Sequence, residues 1–306
     1  MQSTSTIFLI RPSSFSYNIQ TAESNVFQHN LNKSNSVIQQ NALTEFDNFV
    51  IQLKSKGINV QIFNDSPSPI KPDAIFPNNW ITLHTNSTMV LYPLCSENRR
   101  PERRPEIINI LKHQYQITNL IDLSAYENEK KFLEGTGSIV FDHKNKIAYA
   151  CLSPRTDQIL FEYCSKLLGY KAISFNAYNQ NKIEIYHTNV MMNIGNRFAV
   201  VCLDSISSAT EKKVVSQSLI ESGHEIIEIS FDQVNNFAGN MLALSVKNDQ
   251  ILVLSKKAMD CLTSEQIKKL KKYCTLLPVS IPTIETVGGG SARCMICEIF
   301  HSNELI

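Results

Sequence analysis

The chain has no charge excess of either sign. Lys and Arg number 29 against 28 Asp and Glu, a net of +1 over 306 residues. Without a global field, neither nucleic acid nor an anionic membrane surface is the expected partner, and a small molecule is. No uninterrupted apolar run reaches the ~18 residues that a membrane helix needs, and residues 1–6 lack the basic start and apolar stretch of a secretory leader. A soluble, cytoplasmic protein is expected. The eight cysteines (95, 151, 164, 202, 261, 274, 294, 297) form no pattern, and most lie inside apolar runs where a thiol behaves as a small hydrophobe. Cys294 and Cys297 alone have metal-type spacing, and no second pair completes four ligands. Neither a disulfide framework nor zinc is expected, and no cofactor.

What the chain does have is a repeat. Trp80 to Leu83 and Met89 to Tyr92 read as strands around a polar turn, followed by a helix over 104–114 and a strand over 117–123. The same order of strand, strand, helix, strand returns from Ser138, from Asn189 and from Met241, with helices over 156–168, 209–222 and 264–273. A fifth copy opens at Gly288-Gly289-Gly290 and continues as a strand over 292–300. Its helix and last strand come from the first sixty residues, with a strand over 7–10, a helix over 42–56 and a strand over 60–63. Periods near fifty residues mark a supersecondary unit that buries its apolar face against its neighbours. One α/β domain spanning 1–306, a five-bladed propeller of ββαβ modules closed by the N-terminal segment, is expected.

The polar candidates fall in phase with this repeat. Asn79, Glu134, His187, Asn240 and Cys294 stand at the start of each module's first strand, fifty-three to fifty-five residues apart. In a radial arrangement equivalent positions converge on one axis. A cysteine, a histidine and a carboxylate brought together are a nucleophile, a general acid/base and the group that orients it. Taken singly each is bland: Cys294 reads as a core residue, His187 as a hydrogen-bonded strand end and Glu134 as a turn acid. The glycines before Cys294, and those at 135 and 137 after Glu134, clear space for a ligand.

Glu134-Gly135-x-Gly137, His187, Cys294 after a glycine run, and Leu152-Ser153-x-Arg155-Thr156 together resemble the guanidino-group-modifying enzymes: arginine deiminase, dimethylarginine dimethylaminohydrolase and the amidinotransferases. The likeness is closest to the amidinotransferase-like citrulline-utilization hydrolases and covers nearly the whole chain. It implies the pentein fold, a five-bladed α/β propeller with its site on the pseudo-symmetry axis. It also implies roles: Cys294 attacks the guanidino carbon, His187 protonates the leaving nitrogen and later activates water, Glu134 sits with the histidine, Asp73 contacts substrate and Arg155 holds the substrate carboxylate.

The chain departs from the family where the family grips a cationic guanidinium with paired carboxylates. Asn79 and Asn189 stand there instead, with Ser138 where an Asp is common. An amide both donates and accepts, which suits a neutral ureido group. Citrulline is therefore the favoured substrate, with arginine or a derivative the alternative. Asn240, in phase, and Arg99, in the basic run 99–104, complete the candidate substrate-binding set; an inward Arg99 could grip a carboxylate bidentately. The expected activity is hydrolysis of a C–N bond through a covalent thio intermediate on Cys294. An amidinotransferase and a non-catalytic scaffold of the same fold are the competing readings. A small-molecule amino acid is the partner, and a homodimer is left open.

Overall fold

The computed structural model describes residues 1–247 and 249–300. Its backbone separates into two compact units. One comprises Thr4–Gly135, Ile281–Gly290 and the segment from Cys294 onward; the other comprises Met1–Ser3, Thr136–Ser280 and Ser291–Arg293.

Among the described residues five mixed sheets of three strands form, each built the same way. In the first unit, Thr88–Leu91 is central, antiparallel to Ile81–His84 and parallel to Asn119–Asp122. The second sheet of that unit is centred on Thr6–Arg11, parallel to Asn59–Asn64 and antiparallel to Cys297–Glu298. The expectation that the N-terminal residues complete the last module is thus met: the C-terminal strand pairs Ile7 with Glu298 and Phe8 with Cys297. In the other unit the central strands are Ile147–Leu152, Phe198–Val201 and Asp249–Ser255. Each has an antiparallel partner before it in sequence and a parallel partner after it.

The alternation follows from connection length. A short turn allows only an antiparallel neighbour, whereas a parallel one requires a crossover long enough for a helix. The crossovers are Asn35–Ser55, Pro105–Gln114, Gln158–Leu168, Ala209–Glu221 and the pair Lys256–Cys261 and Ser264–Leu270. Side-chain caps fix most of their starts: Ser34, Asp157, Ser208, Ser255 and Thr263 each accept from a backbone N–H of the first turn. Central strands are almost wholly buried, and a core of Phe8, Trp80, Met89, Leu91, Ile107 and Leu111 forms between helix 105–114 and the two sheets of its unit. Among the described residues no helix is long and apolar enough to cross a membrane.

Two expectations are corrected. The helix over 42–56 begins seven residues earlier, at Asn35 behind the Ser34 cap. The strand over 292–300 is only Cys297–Glu298, and residues 292–295 form a turn. A helix absent from the sequence reading, Pro282–Gly288, precedes that turn and ends at Gly289 in the left-handed conformation. Its Thr, Ile and Val favour strands, and the proline at its first turn was the one available signal.

Candidate active site

The phased residues lie just ahead of the first strands, in single helical turns. Asn79 closes the 3-10 turn Pro77–Asn79, Glu134 precedes the one-turn helix Gly135–Ser138, His187 caps the 3-10 turn Thr188–Val190, and Cys294 lies in the 292–295 turn. Proline at 77 has no N–H to give a ladder, and asparagines bond to nearby backbone, so the chain turns before it extends. Asn240 likewise precedes strand Leu242–Val246.

In the first unit, Cys294 is buried, 5% exposed. A Cβ on Gly290 would stand 3.2 Å from the Cys294 Cβ and 3.0 Å from the Phe76 ring. Glu134 is fully buried and its Oε1 accepts from the Cys95 N–H at 2.9 Å. Asp73 is also buried; its Oδ2 accepts from Asn18 Nδ2 at 2.7 Å and from Thr21 Oγ1 at 3.1 Å. Arg99 does point inward. Its Nε and Nη2 grip the two Glu102 oxygens at 2.9 Å each, Nη1 donates to Asn79 Oδ1 at 2.6 Å, and Nη2 also donates to the Phe76 carbonyl at 3.2 Å. The Asp73 Oδ2 is 3.9 Å from Nε. Four of the five N–H groups of a guanidinium are thereby engaged inside the protein. Asn79 is engaged at both ends of its amide, since its Nδ2 donates to Asn78 Oδ1 at 3.2 Å.

Burial pushes the Glu102 carboxyl up to about 7, and the charges of Asp73 and Glu134 push the same way; the pull of Arg99 offsets them only in part. The Arg99 guanidinium, although buried, is held above its ordinary range, chiefly by Glu102, then by Asp73 and Glu134. Two carboxylates, Glu102 and Asp73, thus face the Arg99 cation, and the charge of Glu134 is felt there.

In the other unit, His187 packs tilted on Tyr186, 4.5 Å between ring centroids, and the same tyrosine ring lies 4.9 Å from the Arg155 guanidinium. Tyr186 therefore brings two expected site residues together. The turn carrying His187 is pinned by Thr188, whose Oγ1 donates to the Ser138 carbonyl at 2.5 Å and accepts from the Cys151 N–H at 2.8 Å. Ser138 also donates to the Arg155 carbonyl at 2.9 Å. Asn240 donates to the Asn189 carbonyl at 3.0 Å and accepts from the Arg293 N–H at 3.1 Å. Its amide ties two backbone turns together and is engaged at both ends.

Sequence reasoning missed Glu102, Asn18, Thr21 and Tyr186. Glu102 follows Arg99 at the i,i+3 spacing of a helical turn, a signal visible in the sequence. Asn18 and Thr21 lie 55 and 52 residues before Asp73, and only the fold joins them. Among the described residues no group of three or more His, Cys, Asp or Glu could hold a metal ion.

A family model described as N,N dimethylarginine dimethylhydrolase, eukaryotic, matches residues 11–301, almost the whole chain. The chain belongs to the dimethylarginine dimethylhydrolase family. Solved structures agree in fold. The N-terminal domain of ArgZ, an arginine dihydrolase from the ornithine–ammonia cycle in cyanobacteria, bound to substrate, is 16% identical with a TM-score of 0.75 over 97% of this chain and 98% of that one. Apo ArgZ gives 16% identity and a TM-score of 0.76 over 97% of this chain, which spans only 40% of that longer protein. A dimethylarginine dimethylaminohydrolase adduct is 14% identical, with a TM-score of 0.66, covering 97% of this chain and all of that one. No curated protein matches in sequence.

Proposed function

We propose that the chain, acting as one catalytic domain of the five-bladed propeller type, hydrolyses the guanidino group of arginine or an N-methylated arginine. The carrying observation is the set of buried carboxylates in one unit: Asp73 and Glu102 beside the Arg99 cation, and Glu134, fully buried at the turn after Leu133. A cationic guanidinium suits a setting of buried carboxylates, and a neutral ureido group brings no charge to it. The case for citrulline rests on Asn79 and Asn189, and Asn79 is engaged by Arg99. Arginine therefore comes first. Citrulline becomes the second substrate, in line with the arginine dihydrolase among the fold relatives.

In this reading the Cys294 thiolate attacks the guanidino carbon, and the C–N bond to the terminal nitrogen breaks as His187 protonates the departing ammonia or methylamine. The amidino carbon is left on sulfur. Water then adds with His187 taking its proton, and the sulfur leaves, giving the ureido product. Glu134 orients His187, while Asp73, Asn189 and Arg155 hold the substrate. A second round on citrulline consumes another water and yields ornithine, ammonia and carbon dioxide.

The test is to incubate the protein and its Cys294→Ser variant with arginine, N,N-dimethylarginine and citrulline, measuring ammonia, dimethylamine and ornithine. The expectation is product from arginine with the parent and a loss of at least about 10³-fold in the variant, as for removal of a covalent nucleophile. No product from any of the three sinks the hydrolase reading. Turnover that depends on an added amine, with amidinated amine formed, makes it a transferase.

A further inference from the structure

We propose that Tyr186 is a positioning residue that holds Arg155 and His187 in register, so that a substrate gripped by its carboxylate presents its leaving nitrogen to the imidazole; this rests on the roles given to Arg155 and His187 above. Tyr186, Arg155 and His187 are 5%, 2% and 2% exposed and belong to one unit. The Arg155 guanidinium lies over the Tyr186 ring, 4.9 Å from its centroid, close enough for the negative face of the ring to attract the cation. The ring of the next residue, His187, packs against the same tyrosine at 4.5 Å, tilted by 42°. A buried aromatic neighbour at that distance leaves the imidazole fewer rotamers.

The main chain repeats the link. Ser153 Oγ donates to the Tyr186 carbonyl at 2.8 Å and accepts from the Arg155 N–H at 3.1 Å, and the Thr156 N–H closes the turn on the Ser153 carbonyl at 2.9 Å. The turn that carries Arg155 is thereby docked on Tyr186 by backbone and by ring. The Ser153 bonds place the turn but leave the long arginine side chain its rotamers, whereas the tyrosine ring acts on the guanidinium itself. Arginine and its methylated forms carry a carboxylate at one end and the reacting guanidino carbon at the other, so the clamp and the acid must keep a set separation. A misplacement of about 1 Å can cost about 10²-fold in rate. Tyr186 needs no contact with substrate in this role, because it acts through the two residues that make it.

The experiment compares the parent with Tyr186→Phe, which keeps the ring, and Tyr186→Leu, which removes it, with thermal melting to verify folding. Turnover of arginine or N,N-dimethylarginine, whichever the parent accepts, gives kcat at saturation. Calorimetry on the Cys294→Ser background gives the affinities of arginine and of agmatine, which is arginine without its carboxylate. Tyr186→Leu is expected to weaken arginine about tenfold, as loss of a desolvated cation–π contact does, and agmatine by less than about threefold, while kcat falls at least about tenfold. Tyr186→Phe should stay within about threefold of the parent in all three, because the ring carries the role. Should Tyr186→Leu fail to fold, Tyr186→Met takes its place, since an unbranched flexible side chain fills the gap without offering a π face. Equal weakening of both ligands, an unchanged kcat, a Tyr186→Phe chain as damaged as Tyr186→Leu, or loss of folding in both Tyr186→Leu and Tyr186→Met overturns the proposal and leaves the hydrolase reading standing. A parent that turns over neither arginine nor N,N-dimethylarginine overturns the substrate reading and this proposal with it.

Discussion

Gly135 fixes where the Glu134 carboxylate can sit. Its φ is +47°, and a Cβ built there would overlap the Asn78 carbonyl oxygen. Backbone against backbone cannot yield as a side-chain tip does. Gly135→Ala should therefore lower stability by roughly 2 kcal/mol or more, the sum of left-handed strain and overpacking. Gly169→Ala is the control: φ is +74° but nothing lies within 4 Å, so only the ~1 kcal/mol of strain applies. Urea midpoints for the two variants test this, and equal losses would show that the Asn78 contact gives way. At this scale the sequence was half legible. The repeat put Glu134, His187 and Cys294 at equivalent places because each precedes a first strand, and periodicity records that. It recorded nothing of Arg99 closing on Glu102 and Asn79, which depends on the 3-10 turns 77–79 and 97–102 being brought face to face.

The short helix Pro282–Gly288 leads into the glycine run before Cys294, and its start is held from outside. Glu45, on helix Asn35–Ser55, accepts from the Thr283 and Ile284 N–H groups at 2.9 and 3.0 Å. A carboxylate at a helix start satisfies orphan donors and meets the positive end of the dipole. Burial raises the Glu45 carboxyl nonetheless, with the bonds to Thr283 and Ile284 opposing it. Glu45→Ala should cost about 1–2 kcal/mol, as a lost cap does, and Glu45→Gln less, because an amide oxygen still accepts. Chemical denaturation distinguishes them; identical losses would mean that packing, not capping, holds the helix. No sequence window contains both partners, since 45 and 283 meet only through the fold. The crossover helices were legible because each carries its own 3.6-residue stripe and side-chain cap, as Asp157 shows for Gln158–Leu168.

For the molecule as a whole, the burial of Glu102 opposes the fold, and pH reveals it. The carboxyl of Glu102 is raised from its ordinary 4.5 to about 7, first by burial and then by Asp73 and Glu134. Between those values the folded chain keeps a proton that the unfolded chain has released. Stability contributed by Glu102 is thus fully present below about 4.5 and is lost as pH rises toward 7, on the order of 3 kcal/mol. Other groups titrate too, so the measurement is a difference: denaturation midpoints of the parent and Glu102→Gln between about pH 5 and 8. The parent should lose more stability with rising pH than the variant. Parallel curves would mean that Glu102 remains ionised throughout, with Arg99 overcoming burial. A near-zero net charge over 306 residues says nothing of which charges are buried, because composition averages over the chain. Asp73 and Glu102 meet Arg99 only because the fold turns 73, 99 and 102 inward together, and it keeps Glu134 in the same unit.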